Sequence, residues 1–217
     1  MKYDSFIFDL DGTICNTLKD IAHSVNYSLK KHHYPTHKLN KFKSFVGSGS
    51  KKLIERSLNN DLTNYESVFN VYMNKYLSDP VRYTKPYKHI KTFLLKAKKE
   101  GIKLFVFTNK PDSLAKLVIN KCFGPNLFDK VIGIKESTKV TKPGIEEFIK
   151  ETKEFNIDLS NSLYFGDSDV DLFTGINLKV KEIYLTCWGY QDYKYLSSLK
   201  EKPTKYLFKP KELLSLL

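Results

Sequence analysis

The chain has 217 residues, with 36 Lys and Arg against 24 Asp and Glu, for a formal net charge of +12. At 41% hydrophobic and 14% aromatic it is too apolar for a disordered chain, and no run approaches the roughly 18 uninterrupted apolar residues of a membrane span. Three scattered cysteines (Cys15, Cys122, Cys187) with no CxxC spacing argue against a disulfide framework or a zinc site and fit a reduced, cytoplasmic compartment. Met1-Lys2-Tyr3-Asp4-Ser5 leads into a short apolar run that soon carries two aspartates, which does not read as a signal peptide. The charge raises nucleic acid as a partner, but Arg56 and Arg82 are the only arginines and the lysines spread along the whole chain. A solvated basic surface that favours anionic small molecules is the expectation, with no nucleic acid and no membrane.

The length suits one or two domains. Phe6-Ile7-Phe8-Asp9-Leu10 reads as a first strand. Residues 17–78 then hold helical segments and no convincing strand: Ile21, Val25 and Leu29 recur every four residues, and Tyr65, Val68, Phe69, Tyr72 and Tyr76 form an aromatic stripe whose spacing points to helix packing. This insertion is too long for an ordinary connection between strand and helix and reads as an all-α subdomain, left where Pro80 and Pro86 break the pattern. Beyond it, Ile90, Phe93, Leu94 and Ala97 make one helical stripe within 88–100. Strands are expected at 102–107, 131–134, 162–165 and 182–185, with crossover helices at 111–122, 143–154 and 170–177. Pro111 and Pro143 would each sit in a first helical turn. The tail 211–217 reads as a short amphipathic helix docked on the sheet. The fold class is therefore α/β, a Rossmann-like parallel sheet flanked by helices, with 1–15 and 84–217 as core and 16–83 as an inserted helical cap.

Ligands of open α/β sheets bind beyond the carboxyl ends of the strands. The first strand ends in Asp9-Leu10-Asp11-Gly12-Thr13, where two close carboxylates invite a divalent cation, although an Asp-Gly turn explains the segment equally well. Thr108-Asn109-Lys110-Pro111 ends the second strand before a helix N-terminus, a place suited to an anion or to an ordinary cap. Lys142 follows the third strand and Gly166-Asp167-Ser168-Asp169-Val170-Asp171 the fourth. Each is ordinary alone; the ordered set at four successive strand ends is not explained by capping.

With these residues in this order, the sequence resembles the haloacid dehalogenase-like hydrolase superfamily, in its phosphatase branch, and within it phosphoglycolate phosphatases. Phe45-Val46-Gly47-Ser48-Gly49, Pro86-Tyr87 and Thr108-Asn109-Lys110-Pro111 carry the finer likeness. The resemblance implies a Mg²⁺-dependent phosphatase that hydrolyses a small phosphorylated metabolite through an aspartyl-phosphate. Asp9 would be the nucleophile and Asp11 the general acid and base. Mg²⁺ would lie on the side chains of Asp9 and Asp167 and the carbonyl of Asp11, with Asp171 orienting a metal-bound water or ligating directly. Thr108 and Lys142 would hold phosphoryl oxygens, with Asn109 beside them, while Asp169 would be an exposed acid. Asp11 argues against a dehalogenase, which needs no acid for a leaving alkoxide.

The cap would close over the substrate, with Val46–Ser50 (Gly47 and Ser48 among them), Lys51, Lys52 and Arg56 meeting its non-phosphate end. Asn16-Thr17, Lys88-His89 and Gly144-Ile145 depart from common family patterns and bear on the substrate more than on the chemistry. A sugar-phosphate phosphatase or mutase, a nucleotidase, a pyrophosphatase, a non-catalytic protein and a nucleic-acid binder stand as alternatives. The sequence leaves the oligomeric state open.

Overall fold

The computed structural model describes residues 3–135 and 137–217, so Met1, Lys2 and Glu136 lie outside the description. Short apolar runs become strands because both faces of each are covered. Phe6 and Phe8 point one way and Ile7 the other, and all three are buried. The sheet comprises β1 (Ser5–Phe8), β4 (Lys103–Pro111), β5 (Lys130–Ile134), β6 (Ser162–Gly166), β7 (Glu182–Thr186) and β8 (Lys205–Leu207). Every pairing is parallel and the order is β5-β4-β1-β6-β7-β8. The chain therefore runs outward from β1 on one side and then returns to its other side, which makes the carboxyl end of β1 a topological switch point. The parallel α/β core expected from the sequence is present.

One face packs Phe6, Phe8, Val106 and Phe165 against α4 (Ile90–Lys99) and α5 (Asp112–Phe123). Phe8 and Phe165 stack with centroids 4.8 Å apart. The other face packs Ile7, Phe105, Phe107 and Tyr164 against Phe148 of α6 (Glu146–Thr152) and Leu178 of α7 (Asp169–Leu178). A short α8 (Tyr193–Ser198) precedes β8. The tail forms a 3-10 helix, Pro210–Ser215, in place of an α-helix; Leu213 and Leu216 bury into the core as expected. The prolines differ from expectation. Pro111 closes β4 and stands before α5, and Pro143 lies three residues ahead of α6, so neither occupies a first helical turn.

Between β1 and β4 the chain makes α1 (Leu18–Lys31), a 3-10 helix at Leu39–Ser44, α2 (Gly49–Ser57) and α3 (Tyr65–Ser78). These share an apolar cluster in which Val25 and Leu29 of α1, Ile54 of α2 and Val68 and Tyr72 of α3 are buried, with Leu114 of α5 reaching into it. The two crossings between helices and sheet run side by side as β2 (Cys15–Asn16) antiparallel to β3 (Lys85–Pro86). Buried Asp20 ties them further, accepting from the N–H groups of Tyr83 and Thr84 and from the Thr84 hydroxyl.

Candidate active site

Asp9 follows β1 directly, and its N–H donates to the Phe165 carbonyl, which fixes it beyond the strand end. Its Oδ1 accepts from Lys142 Nζ at 2.7 Å, and the same ammonium donates to Asp171 Oδ1 at 2.6 Å. Tyr164 Oη lies 3.2 Å from both Lys142 Nζ and Asp171 Oδ1. The other Asp171 oxygen accepts from the N–H groups of Asp167 and Ser168 and from the Ser168 hydroxyl, forming the capping box of α7. Asp9, Asp167 and Asp171 each offer a carboxylate oxygen within 4.8 Å of the others, all three buried. The space exists because glycines face it. A Cβ on Gly12, whose φ is +92°, would stand 2.1 Å from Asp167 Oδ2, and one on Gly189 would stand 2.3 Å from the Asp167 Cβ.

Burial raises the Asp9 carboxyl to about 7; Lys142 opposes this, while Asp171 and Asp11 add to it. Burial pushes Asp167 well above the usual carboxylate range too, with Asp171 and Asp9 adding to the effect. For Lys142, burial disfavours the ammonium, but Asp171 and Asp9 outweigh it and hold its pKa well above the ordinary lysine value. If all three carboxylates ionise, they set three negative charges against one ammonium, an excess that a hard divalent cation would balance, so the donor set fits one.

Asp11 stands apart from this cluster. Its Oδ1 accepts from the Thr17 hydroxyl at 2.6 Å, and its carboxylate pairs with Lys110 Nζ at 3.1 and 3.2 Å. Lys110 in turn donates to Tyr76 Oη of α3 at 2.7 Å and lies 4.5 Å from the centre of that ring. Tyr190 Oη accepts from the Thr17 N–H at 2.8 Å and lies 3.0 Å from the Thr17 hydroxyl. With the Thr17 proton given to Asp11, the Tyr190 hydroxyl is the donor there. The Tyr190 N–H donates to Asp167 Oδ2 at 2.6 Å, so this one residue touches both halves of the site.

Asp9, Asp11, Thr108, Asn109, Lys142, Asp167, Asp171 and Gly47 all line one cleft of about 50 Å³. Thr108 is buried in its wall. The Asn109 amide is already committed, bridging the carbonyls of Gly47 and Lys142 and accepting from the Lys142 N–H. Ser48 and Arg56 do not reach this cleft. Arg56 donates to the Phe45 carbonyl and the Ser48 hydroxyl, and both side chains line an adjoining cavity of about 510 Å³. Lys51 is exposed and Lys52 pairs with Glu55 on the surface. Asp169 is half-buried, contrary to expectation, and accepts from Gln191 and Tyr195.

Among the residues that sequence reasoning missed are Tyr72, Lys110 and Tyr190 in the wall of the cleft, and Tyr76 behind Lys110. The rule that ligands sit beyond strand ends would have pointed to Trp188-Gly189-Tyr190, which follows β7 directly. Tyr72 and Tyr76 do pack as their spacing implies, yet their hydroxyls face Ser50 and Lys110.

Fold and site together define an α/β hydrolase built on aspartates at the strand ends. The chain belongs to the haloacid dehalogenase-like hydrolase family, whose family model matches residues 6–185. A phosphoglycolate phosphatase of Aquifex aeolicus is 30% identical over 184 residues, covering 85% of this chain and 84% of that protein. A phosphoglycolate phosphatase of Neisseria gonorrhoeae is 29% identical over 196 residues, covering 88% and 82%. A crystal structure from Lactobacillus delbrueckii subsp. bulgaricus shares the fold with a TM-score of 0.90 at 23% identity, covering 100% of this chain and 98% of that one. No helix among the described residues is long and apolar enough to cross a membrane.

Proposed function

We propose that the chain is a phosphatase that hydrolyses a small phosphomonoester of the phosphoglycolate type in the cytoplasm, with residues 16–83 acting as a cap over the core. The observation that carries the reading is the Asp9–Lys142–Asp171 array: a buried carboxylate at a switch-point strand end, with one oxygen oriented by a buried ammonium. Among the described residues Asp9 Oδ2 has no hydrogen-bond partner, which leaves it to attack phosphorus. The P–O bond to the alcohol breaks as the Asp9–phosphorus bond forms, and Asp11 gives the leaving oxygen its proton. Asp11 then takes a proton from water, whose oxygen displaces Asp9 and releases inorganic phosphate. Lys142 and Thr108 hold phosphoryl oxygens, and Asn109 keeps the Lys142 backbone in place. Mg²⁺ held by Asp9 and Asp167, with Asp171 beside them, would neutralise the cluster and polarise the phosphoryl group.

Phosphate release from 2-phosphoglycolate, sugar phosphates, nucleotides and pyrophosphate, measured with Mg²⁺ and with EDTA, tests the reading. The expected result is Mg²⁺-dependent release with 2-phosphoglycolate preferred. Release that survives EDTA, or none from any ester, overturns it.

A further inference from the structure

Lys142 has no donor left over. An ammonium carries three N–H groups, and this one makes three contacts: Asp9 Oδ1 at 2.7 Å, Asp171 Oδ1 at 2.6 Å and Tyr164 Oη at 3.2 Å. A Lys142 that takes hold of a phosphoryl oxygen must therefore let one of these partners go.

The three partners are unequal. Asp9 and Asp171 are buried carboxylates, and either would lose a charge-assisted contact in a dry place. Tyr164 is a neutral phenol at the longest of the three distances. Its hydroxyl also donates to Asp171 Oδ1 at 3.2 Å, so a departing ammonium leaves its proton placed. Asp9, Lys142 and Asp171 line the cleft, whereas Tyr164 is fully buried behind them, its ring in the apolar cluster with Phe107 and Phe148. A phenylalanine would serve that packing as well; what the hydroxyl adds is a neutral acceptor for Lys142.

We infer that Tyr164 is a positioning residue that stands in for the phosphoryl group: its hydroxyl occupies the third Lys142 donor in the free protein and yields it to a phosphoryl oxygen on binding. This rests on the phosphatase reading above for the role of Lys142. The stand-in keeps a buried ammonium satisfied between turnovers. It also lowers the affinity for phosphate below what an unpaired donor would give, which favours release of the product.

Tyr164→Phe keeps the ring and removes the stand-in. The third donor is then unpaired in the free protein and paired in the complex, so binding gains the worth of one hydrogen bond. Titration calorimetry with inorganic phosphate in the presence of Mg²⁺ should show binding about 3–10-fold tighter than in wild type. In turnover of 2-phosphoglycolate, KM should fall while kcat does not rise, since product phosphate takes the same donor. Tyr164→3-fluorotyrosine, whose oxygen is a poorer acceptor in a nearly unchanged shape, should tighten phosphate binding by a smaller factor. That second variant decides the matter if the first does not fold. Phosphate affinity that is unchanged or weaker in the variants overturns the exchange, because the hydroxyl then only supports the fold or holds Lys142 permanently. Failure of the phosphatase reading looks different: phosphate binds more tightly to the variants while no protein hydrolyses any ester.

Discussion

The two halves of the site solve the same electrostatic problem in different materials. At the phosphoryl end, Asp9, Tyr164 and Asp167 come from β1 and β6 or the residue after them, Lys142 from the loop between β5 and α6 and Asp171 from the first turn of α7, and all are buried. At the leaving-group end, Asp11 is paired with Lys110 of the core, but their other partners are Tyr76 of α3 and Thr17 at the start of the helical insertion. The first half is complete within the core; the second requires the insertion. On the function proposed above, charge stabilisation would belong to the core, and the leaving group would meet the core and the insertion together.

The largest effect should come from Asp9→Asn. The substitution keeps the shape and the contact with Lys142 but removes the attacking oxygen's charge, and turnover should fall by at least roughly three orders of magnitude. Ester binding at the leaving-group end should persist, which calorimetry would read. Loss of binding together with turnover would show that the two halves do not work separately.

Next in size is the contrast between the two buried lysines. Lys142→Met strands two buried carboxylates and should cost about 3–5 kcal/mol in urea unfolding without metal. Lys110→Met strands Asp11, whose side chain is 19% accessible and can be hydrated, and takes a neutral partner from the Tyr76 hydroxyl, and should cost about 1–3 kcal/mol. Equal costs would break the distinction between a fully buried carboxylate pair and a single carboxylate that water can reach.

The pH dependence sharpens the same contrast. Folded Asp9 keeps its proton up to about pH 7, whereas an unfolded aspartate loses it near pH 4, about 3.9 in model peptides. Without metal, the stability contributed by this raised group is fully present below about pH 4 and is lost as pH rises to about 7; Asp167 shifts in the same direction. A cation that replaces the protons should therefore stabilise the protein more at pH 8 than at pH 5. Calorimetric melting with and without Mg²⁺ at both pH values checks this, and a gain as large at pH 5 overturns it.

The same division decided what could be read from the residues alone. Asp9, Asp11, Thr108, Asp167 and Asp171 stand out because they lie at the ends of apolar runs, Lys142 only because it completes the ordered set, and the topology that gathers strand ends does the rest. Lys110 does not stand out: a buried lysine and a solvated one look alike in a chain with 34 of them. Tyr76 reads as packing because it does pack, and only its hydroxyl has a second partner. The three residues of β8 and the two-residue strands β2 and β3 are too short to show a period. Ser48 and Arg56, read from the sequence as meeting the substrate's non-phosphate end, line the cavity beside the cleft and not the cleft that holds the aspartates.

The smallest expected effect tests the residue that joins the halves. Tyr190 reaches Asp167 through its backbone N–H and Thr17 through its hydroxyl. Tyr190→Phe removes only the second link, two hydrogen bonds with Thr17, so it should cost about 1–2 kcal/mol of stability. The stabilisation by Mg²⁺ should be unchanged, because the contact to Asp167 is made by the main chain. A Tyr190→Phe protein that loses its response to Mg²⁺ would mean that the hydroxyl's hold on Thr17 is transmitted to the carboxylate cluster. The site would then be a single coupled network, and the separation of its two halves would fail.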